Sequence, residues 1–131
     1  MAKIIILEDD TDIAEIMQLA IGSLYDVLVA NDFDKVKEVI VEYTPDLVIT
    51  DYLLGQYVSS EVIAMIRTID KFKNIPVILI SGHPEIERIA KQLNVTDYLL
   101  KPFSLKNLNE CIERILAYRT VEKLSNSFLT G

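Results

Sequence analysis

Cysteine is nearly absent from this chain. Cys111 stands alone, which excludes an intramolecular disulfide and a cysteine zinc site. Histidine is as scarce, with His83 the only one. Positive charge is in deficit: 13 Lys and Arg face 20 Asp and Glu, for a formal net charge of −7. Nucleic acids and anionic membrane surfaces are bound by clustered Lys and Arg, so this balance argues against direct contact with either. Long apolar runs are missing too. Residues 4–7 form a run too short for a signal peptide, with acids directly after it, and no stretch is long enough to span a bilayer. These absences predict a cytoplasmic protein without membrane insertion.

What is present suits one domain. Half of the 131 residues are hydrophobic and 25% are charged, enough for a real core and a soluble surface. Apolar runs alternate with helical periodicity. Lys3-Ile4-Ile5-Ile6-Leu7 reads as a strand buried on both faces. Asp10 or Thr11 caps a helix with Ile13, Ile16, Met17, Ala20, Ile21 and Leu24 inward. Residues 25–30 are a second strand. A helix capped by Asn31 or Asp32 follows, with Phe33, Val36, Val39, Ile40 and Tyr43 inward, and Pro45 stops it. Residues 46–50 are the third strand, and 51–58 a loop around Gly55. Ser59 or Ser60 caps a helix carrying Val62, Ile63, Ile66 and Ile69. Residues 76–80 are the fourth strand, with a helix built on Ile86, Ile89, Ala90 and Leu93 after the turn Ser81-Gly82-His83-Pro84. Residues 96–100 are the fifth. Ser104 caps the last helix, with Leu105, Leu108, Ile112, Ile115 and Leu116 inward and Cys111 as a buried, unreactive residue.

Five βα units in strict alternation predict an α/β fold, a (βα)5 doubly wound parallel sheet of the flavodoxin-like kind. The order 2-1-3-4-5 is expected, because it sets the two most apolar strands, the first and third, side by side at the centre. The domain covers 1–119. The pattern fades over 120–131, which reads as a C-terminal tail or truncated linker.

In such a sheet, ligand chemistry gathers beyond the carboxyl ends of the strands. The first strand runs into Glu8-Asp9-Asp10, the third into Asp51 and the fifth into Lys101-Pro102-Phe103. Glu8, Asp9, Asp51 and Lys101 therefore converge on one pocket. Asp10 is well explained as a helix cap. Glu8 and Asp9 are not, since they leave a buried strand, and clustered carboxylates need a cation to offset their repulsion and desolvation. Hard oxygen ligands point to Mg²⁺ or Mn²⁺. A carboxylate at the switch point is also a nucleophile toward phosphorus. Lys101 supplies a point charge for Asp51 or for a phosphoryl oxygen, and the Ser81 hydroxyl can donate to another.

This constellation resembles the receiver domain of bacterial two-component response regulators. The matching residues are Glu8-Asp9, Asp51, Ser81, Tyr98 and Lys101-Pro102-Phe103, and the resemblance covers residues 3 to 118. It implies a phosphoacceptor at Asp51, charged by the phosphohistidine of a histidine kinase or phosphotransfer protein. It implies Mg²⁺ held by Asp9, Asp51 and the Leu53 backbone carbonyl, with Glu8 acting through water. It implies phosphoryl contacts from Lys101 and Ser81, a cis Lys101-Pro102 bond, and Ser81 and Tyr98 as a switch pair acting on the face of helix four, strand five and helix five. Leu53 and His83 occupy positions that tune the phosphoryl lifetime: Leu53 is expected to exclude water, and His83 to orient water or merely decorate the turn. A homodimer through the helix four to helix five face is compatible with the sequence but not demanded by it. Such a protein is no enzyme beyond catalysing its own phosphorylation and dephosphorylation. Its output, in a partner or in a further domain, is unspecified.

The chain departs from the family after Asp51, with Gly55 where Pro is usual and Ser59 where Gly is usual. The expected consequences are a more mobile loop and altered metal affinity. Two enzyme or cofactor readings fit worse. Asp10-Thr11-Asp12 lacks the directly strand-following Asp of haloacid-dehalogenase-type phosphatases, and Glu8-Asp9-Asp10 would repel a flavin phosphate. The alternative that remains is a phosphorylation-independent pseudo-receiver acting as a protein-interaction module.

Overall fold

The computed structural model describes residues 1–130, with side chains through Ser125. Five parallel strands, β1 (Lys3–Leu7), β2 (Asp26–Ala30), β3 (Leu47–Asp51), β4 (Val77–Ser81) and β5 (Asp97–Leu100), form one sheet in the order β2-β1-β3-β4-β5. The helices between and after them are α1 (Thr11–Ile21), α2 (Val36–Tyr43), α3 (Ser59–Arg67), α4 (Ile86–Leu93) and α5 (Leu105–Thr130). This is the architecture and order expected from the alternation.

The period-2 geometry of a strand explains the two cores. Ile4 and Ile6 face one side with Ile49, Ile78 and Ile80, where α1 adds Met17 and Ile21 and α5 adds Leu108 and Ile112. Ile5, Leu7 and Val48 face the other, under Val36 and Ile40 of α2 and Val62, Ile63 and Ile66 of α3. Leu79 continues that second face beneath Ile86, Ile89 and Ala90 of α4. Each such side chain, taken fully from water, contributes about 1.5–3 kcal/mol.

Several local expectations need correction. Ile16 and Leu24 are exposed rather than inward. The buried stripe of α1 is Ala14, Met17 and Ile21, and Leu24 lies beyond the helix end. Leu105, the first residue of α5, is exposed as well. A 3-10 turn over Phe33–Lys35 precedes α2, so neither Asn31 nor Asp32 caps that helix with its side chain. Thr44 and Asn94, both at φ 52, end α2 and α4 in the left-handed conformation. Asp10 and Ser104 do cap their helices: Asp10 accepts from the Asp12 and Ile13 amides, and Ser104 from the Asn107 amide at 3.0 Å. The loop after Asp51 is a hairpin in which Leu53–Leu54 pairs antiparallel with Tyr57–Val58, and Gly55 at φ +62 makes the turn. α5 continues through Thr130, past the point where its amphipathic pattern fades. Gly131, the end of the expected tail, lies outside the described residues.

Neither Ser59 nor Ser60 caps α3. The cap position is Val58, without a side-chain hydrogen bond, and Ser59 is the first helical residue. Its side chain is fully buried and its Oγ has no partner among the described residues. A buried, unpaired hydroxyl is destabilising. Ser59→Ala is therefore expected to raise unfolding stability by about 1 kcal/mol, read as a higher urea midpoint with an unchanged slope. A lower midpoint would show that the hydroxyl has a stabilising partner.

Candidate functional site

The register of the sheet builds the site. Leu7 lies opposite Thr50 across β1 and β3, so the next residues, Glu8 and Asp51, emerge together at the carboxyl edge. Asp51 lies opposite Ile80, and Ser81 opposite Leu100, which brings Lys101 to the same edge. Backbone bonds pin this rim: the Tyr52 amide donates to Ile80 O and the Lys101 amide to Ser81 O, both at 2.8 Å. The Lys101-Pro102 peptide is cis, as the resemblance implied.

Lys101 Nζ donates to Asp51 Oδ2 at 2.6 Å. The Asp51 side chain is 11% exposed and that of Lys101 30%, so water screens the pair only in part. Burial works against the Lys101 ammonium. The hydrogen bond and charge of Asp51, with Glu8 and Asp10 behind it, outweigh burial and hold the pKa above its ordinary value.

Glu8 is the most perturbed acid. It is 2% exposed. Its Oε1 accepts from the Asp10 amide at 3.1 Å, and its Oε2 is buried without a hydrogen-bond partner among the described residues. Burial, with the neighbouring Asp51 charge, pushes its pKa up to about 7, against the pull of the Asp10 amide and Lys101.

The other expected residues stand around this pair without all converging. Asp9 is exposed and points toward the hairpin: a Cβ on Gly55 would lie 3.5 Å from its Oδ2. Leu53, in the same hairpin, is 62% exposed. Ser81 is buried, and its Oγ accepts from the His83 amide at 3.0 Å. The His83 ring is exposed, and its Nδ1 accepts from the Glu85 amide at 3.0 Å, so it serves the turn leading into α4. Tyr98 is half-buried against Leu79, Ile86, Ile89 and Ala90. Among the described residues, no three His, Cys, Asp or Glu side chains already form a cluster that holds a metal. The donor set nevertheless suits a hard divalent cation. Glu8 presents an orphaned buried oxygen beside Asp51, and Asp9 follows Glu8 directly at the same strand end.

Two residues went unnoticed in the sequence. Tyr52 follows Asp51 directly and packs into the same cluster as Tyr98, against α4. A large aromatic one residue past a candidate nucleophile was the available signal. Arg67 donates to Leu93 O at 2.7 Å and Asn94 O at 2.8 Å, closing the carboxyl end of α4 from α3. No local pattern announces that contact.

Residues 4–113 match the family described as "Response regulator receiver domain". "Sensory transduction protein BceR" of Halalkalibacterium halodurans is 35% identical over 119 residues, which are 88% of this chain and 50% of that protein. "Sensor histidine kinase TmoS" of Ectopseudomonas mendocina is 29% identical over 89% of this chain and 12% of its own length. The chain thus spans half or less of these two relatives. Among solved structures, the N-terminal domain of the nisin resistance regulator NsrR superposes with a TM-score of 0.78 at 30% identity, covering 88% of this chain and 98% of that one. NtrX from Brucella abortus gives a TM-score of 0.86 at 25% identity over 98% of this chain and 30% of its own.

The Glu8 environment has a pH signature. The folded carboxyl titrates near 7 and the unfolded one near 4.5, so between these values the folded state holds the extra proton. Stability then falls as the pH rises through that window and levels off above it. At about 1.4 kcal/mol per unit, the Glu8 contribution is on the order of 3–4 kcal/mol at most. Glu8→Gln is expected to lack this fall. In EDTA, its stability relative to the wild type should increase from pH 4.5 to 7 and then stay constant. A pH-independent difference would contradict the assignment.

Proposed function

Because this chain belongs to the response regulator receiver domain family, we propose that Asp51 accepts a phosphoryl group from the phosphohistidine of a histidine kinase or phosphotransfer protein. The observation that carries the proposal is the Lys101–Asp51 ion pair at 2.6 Å, set beside the buried, half-paired carboxyl of Glu8. Receiver domains are signalling modules of two-component systems rather than classical enzymes. The relatives' longer chains carry further parts, and what this protein drives is left to its partners.

In the proposed reaction, an Asp51 carboxylate oxygen attacks phosphorus. The new O–P bond forms as the N–P bond breaks, and the departing imidazole nitrogen keeps the electron pair and takes a proton. Before the transfer Lys101 holds the nucleophile in place. Afterwards its ammonium moves to a phosphoryl oxygen, which carries more charge than the esterified carboxyl. Ser81 turns its hydroxyl toward a second phosphoryl oxygen and gives up the His83 amide. Glu8, Asp9, Asp51 and the Leu53 carbonyl are the residues that would hold Mg²⁺ or Mn²⁺. Such an ion neutralises charge shared between the acids and the phosphoryl oxygens.

The switch follows from the charge added. Phosphorylation brings about −1.5 to −2 charges and three acceptor oxygens to a rim lined by acids. Drawing Ser81 toward them loosens the turn into α4 and makes room for the Tyr98 ring to move inward. The α4–β5–α5 face then differs between two packings, and a downstream protein or a second copy of the chain selects between them. We assign residues 1–119 to the receiver and place it in the cytoplasm, acting through protein partners and not through nucleic acid. No helix among the described residues is long and apolar enough to cross a membrane.

Incubation with acetyl phosphate and Mg²⁺ is expected to add one phosphoryl group to the wild type and none to Asp51→Asn, read by intact mass. No gain in a folded, Mg²⁺-binding wild type would favour the pseudo-receiver, a module that works by binding alone. A second outcome concerns lifetime. Leu53, two residues past Asp51, is read as an apolar screen over the phosphoryl group, so Leu53→Asn should speed its loss by about tenfold, a barrier change of about 1.4 kcal/mol. An unchanged hydrolysis rate would remove Leu53 from that role.

A further inference from the structure

A group of positive charges lies at the opposite end of the sheet from Asp51. A cavity of about 660 Å³ opens there between the 70–76 segment and the middle of α5. Its floor is apolar, formed by Pro76 and Ile115. Lys71 and Lys73 stand on one wall, and Arg119 and Lys123 on the other. With Arg114, five basic residues line the cavity against three acids, an excess of two positive charges in a chain whose net charge is −7.

These cations differ in how far they are committed. Arg114 is tied to Asp97 at 2.5 Å. Arg119 donates one N–H to the Asp46 carbonyl, which leaves the rest of its guanidinium free to bind. Lys71, Lys73 and Lys123 make no ion pair among the described residues. Asp70 and Glu122, the remaining acids, are too few to neutralise them. Tyr118 lines the same cavity and is 71% exposed, which leaves a flat ring at the rim.

We propose that this cavity binds a nucleoside polyphosphate. The volume falls within the usual range for small-ligand sites, about 300–1,000 Å³. A bare phosphate would leave most of that space and the apolar floor wet. A base laid on Tyr118 and Pro76 covers the apolar part, since aromatic rings stack on any base. The phosphates then reach the lysines and Arg119, where charge-assisted hydrogen bonds are strongest. One wall is the middle of α5, so the ligand braces that helix against the 70–76 segment. The site uses none of the residues assigned to phosphoryl transfer and stands whether or not Asp51 is an acceptor.

The test is calorimetric titration of the full chain with ATP in EDTA, alongside tripolyphosphate and adenosine. Wild type and Asp51→Asn are expected to bind ATP equally, with affinity falling as salt rises. Lys73→Glu/Lys123→Glu should weaken binding by about tenfold or more, about 1.4 kcal/mol. Lys37→Glu, a reversal on the exposed side of α2, should not weaken it. Absence of saturable ATP binding, or equal binding by the double variant, would overturn the proposal. Tripolyphosphate binding as tightly as ATP would overturn the nucleoside part and leave a plain anion site. Tighter ATP binding in Asp51→Asn, which removes a negative charge from the acid rim, would place the ligand at that rim instead.

Discussion

The contact between Lys101 and Asp51 depends on nearly every other feature of the fold. The two residues are 50 positions apart and leave strands that do not touch, because β4 runs between β3 and β5. Their meeting requires the register on both sides of β4 to be right. A one-residue slip would turn the side chains to the opposite faces. Four consecutive buried residues in β1 and in β3 leave no alternative register that keeps both faces dry. The apolar core therefore sets the site's geometry, although none of its side chains takes part in the chemistry.

That geometry holds charge in an unfavourable place. Glu8 is buried beside Asp51, with one oxygen unpaired, and Lys101 offsets only part of the repulsion. Desolvating an acid destabilises the fold unless a partner compensates. A site like this is less stable empty than filled, and binding energy from a cation or a phosphoryl group goes partly into relieving that strain in charge. The same imbalance makes the rim responsive. Groups already in electrostatic conflict rearrange for a small added charge, whereas a fully satisfied network would resist.

Much of this was legible in the sequence because it is carried by local pattern. Apolar runs ending in Glu8, Asp51 and Lys101 give the strands, their carboxyl ends and the charged rim at once. Alternation of strand and helix, with the first and third strands most apolar, gives the order. What escaped depends on neighbours distant in sequence. Ser59 looked like a cap, but tertiary packing drew it inside the helix and buried its hydroxyl. The hairpin after Asp51, turning at Gly55 with its positive φ, comes close to the Asp9 carboxylate. Arg67 closes α4 from 26 residues away, and the basic cavity joins a loop to a helix some 40 residues later in the chain. Residue types announce such contacts only after the chain has folded.

The restraints on α4 are unequal at its two ends. At its carboxyl end α4 is held by two Arg67 hydrogen bonds and by the left-handed turn at Asn94. At its amino end there is no side-chain cap, and the turn rests on a chain from Ser81 Oγ to the His83 amide and from His83 Nδ1 to the Glu85 amide. In the proposed switch, pulling the Ser81 hydroxyl toward Asp51 would loosen one end of the helix and leave the other anchored. Tyr52 and Tyr98 both pack against the same apolar face of α4, one attached to the acceptor's strand and one to β5. A helix pivoting about its Arg67 end would change the space shared by these two rings together. That couples backbone motion next to Asp51 to the orientation of Tyr98 through direct packing, without requiring any change in the sheet beneath.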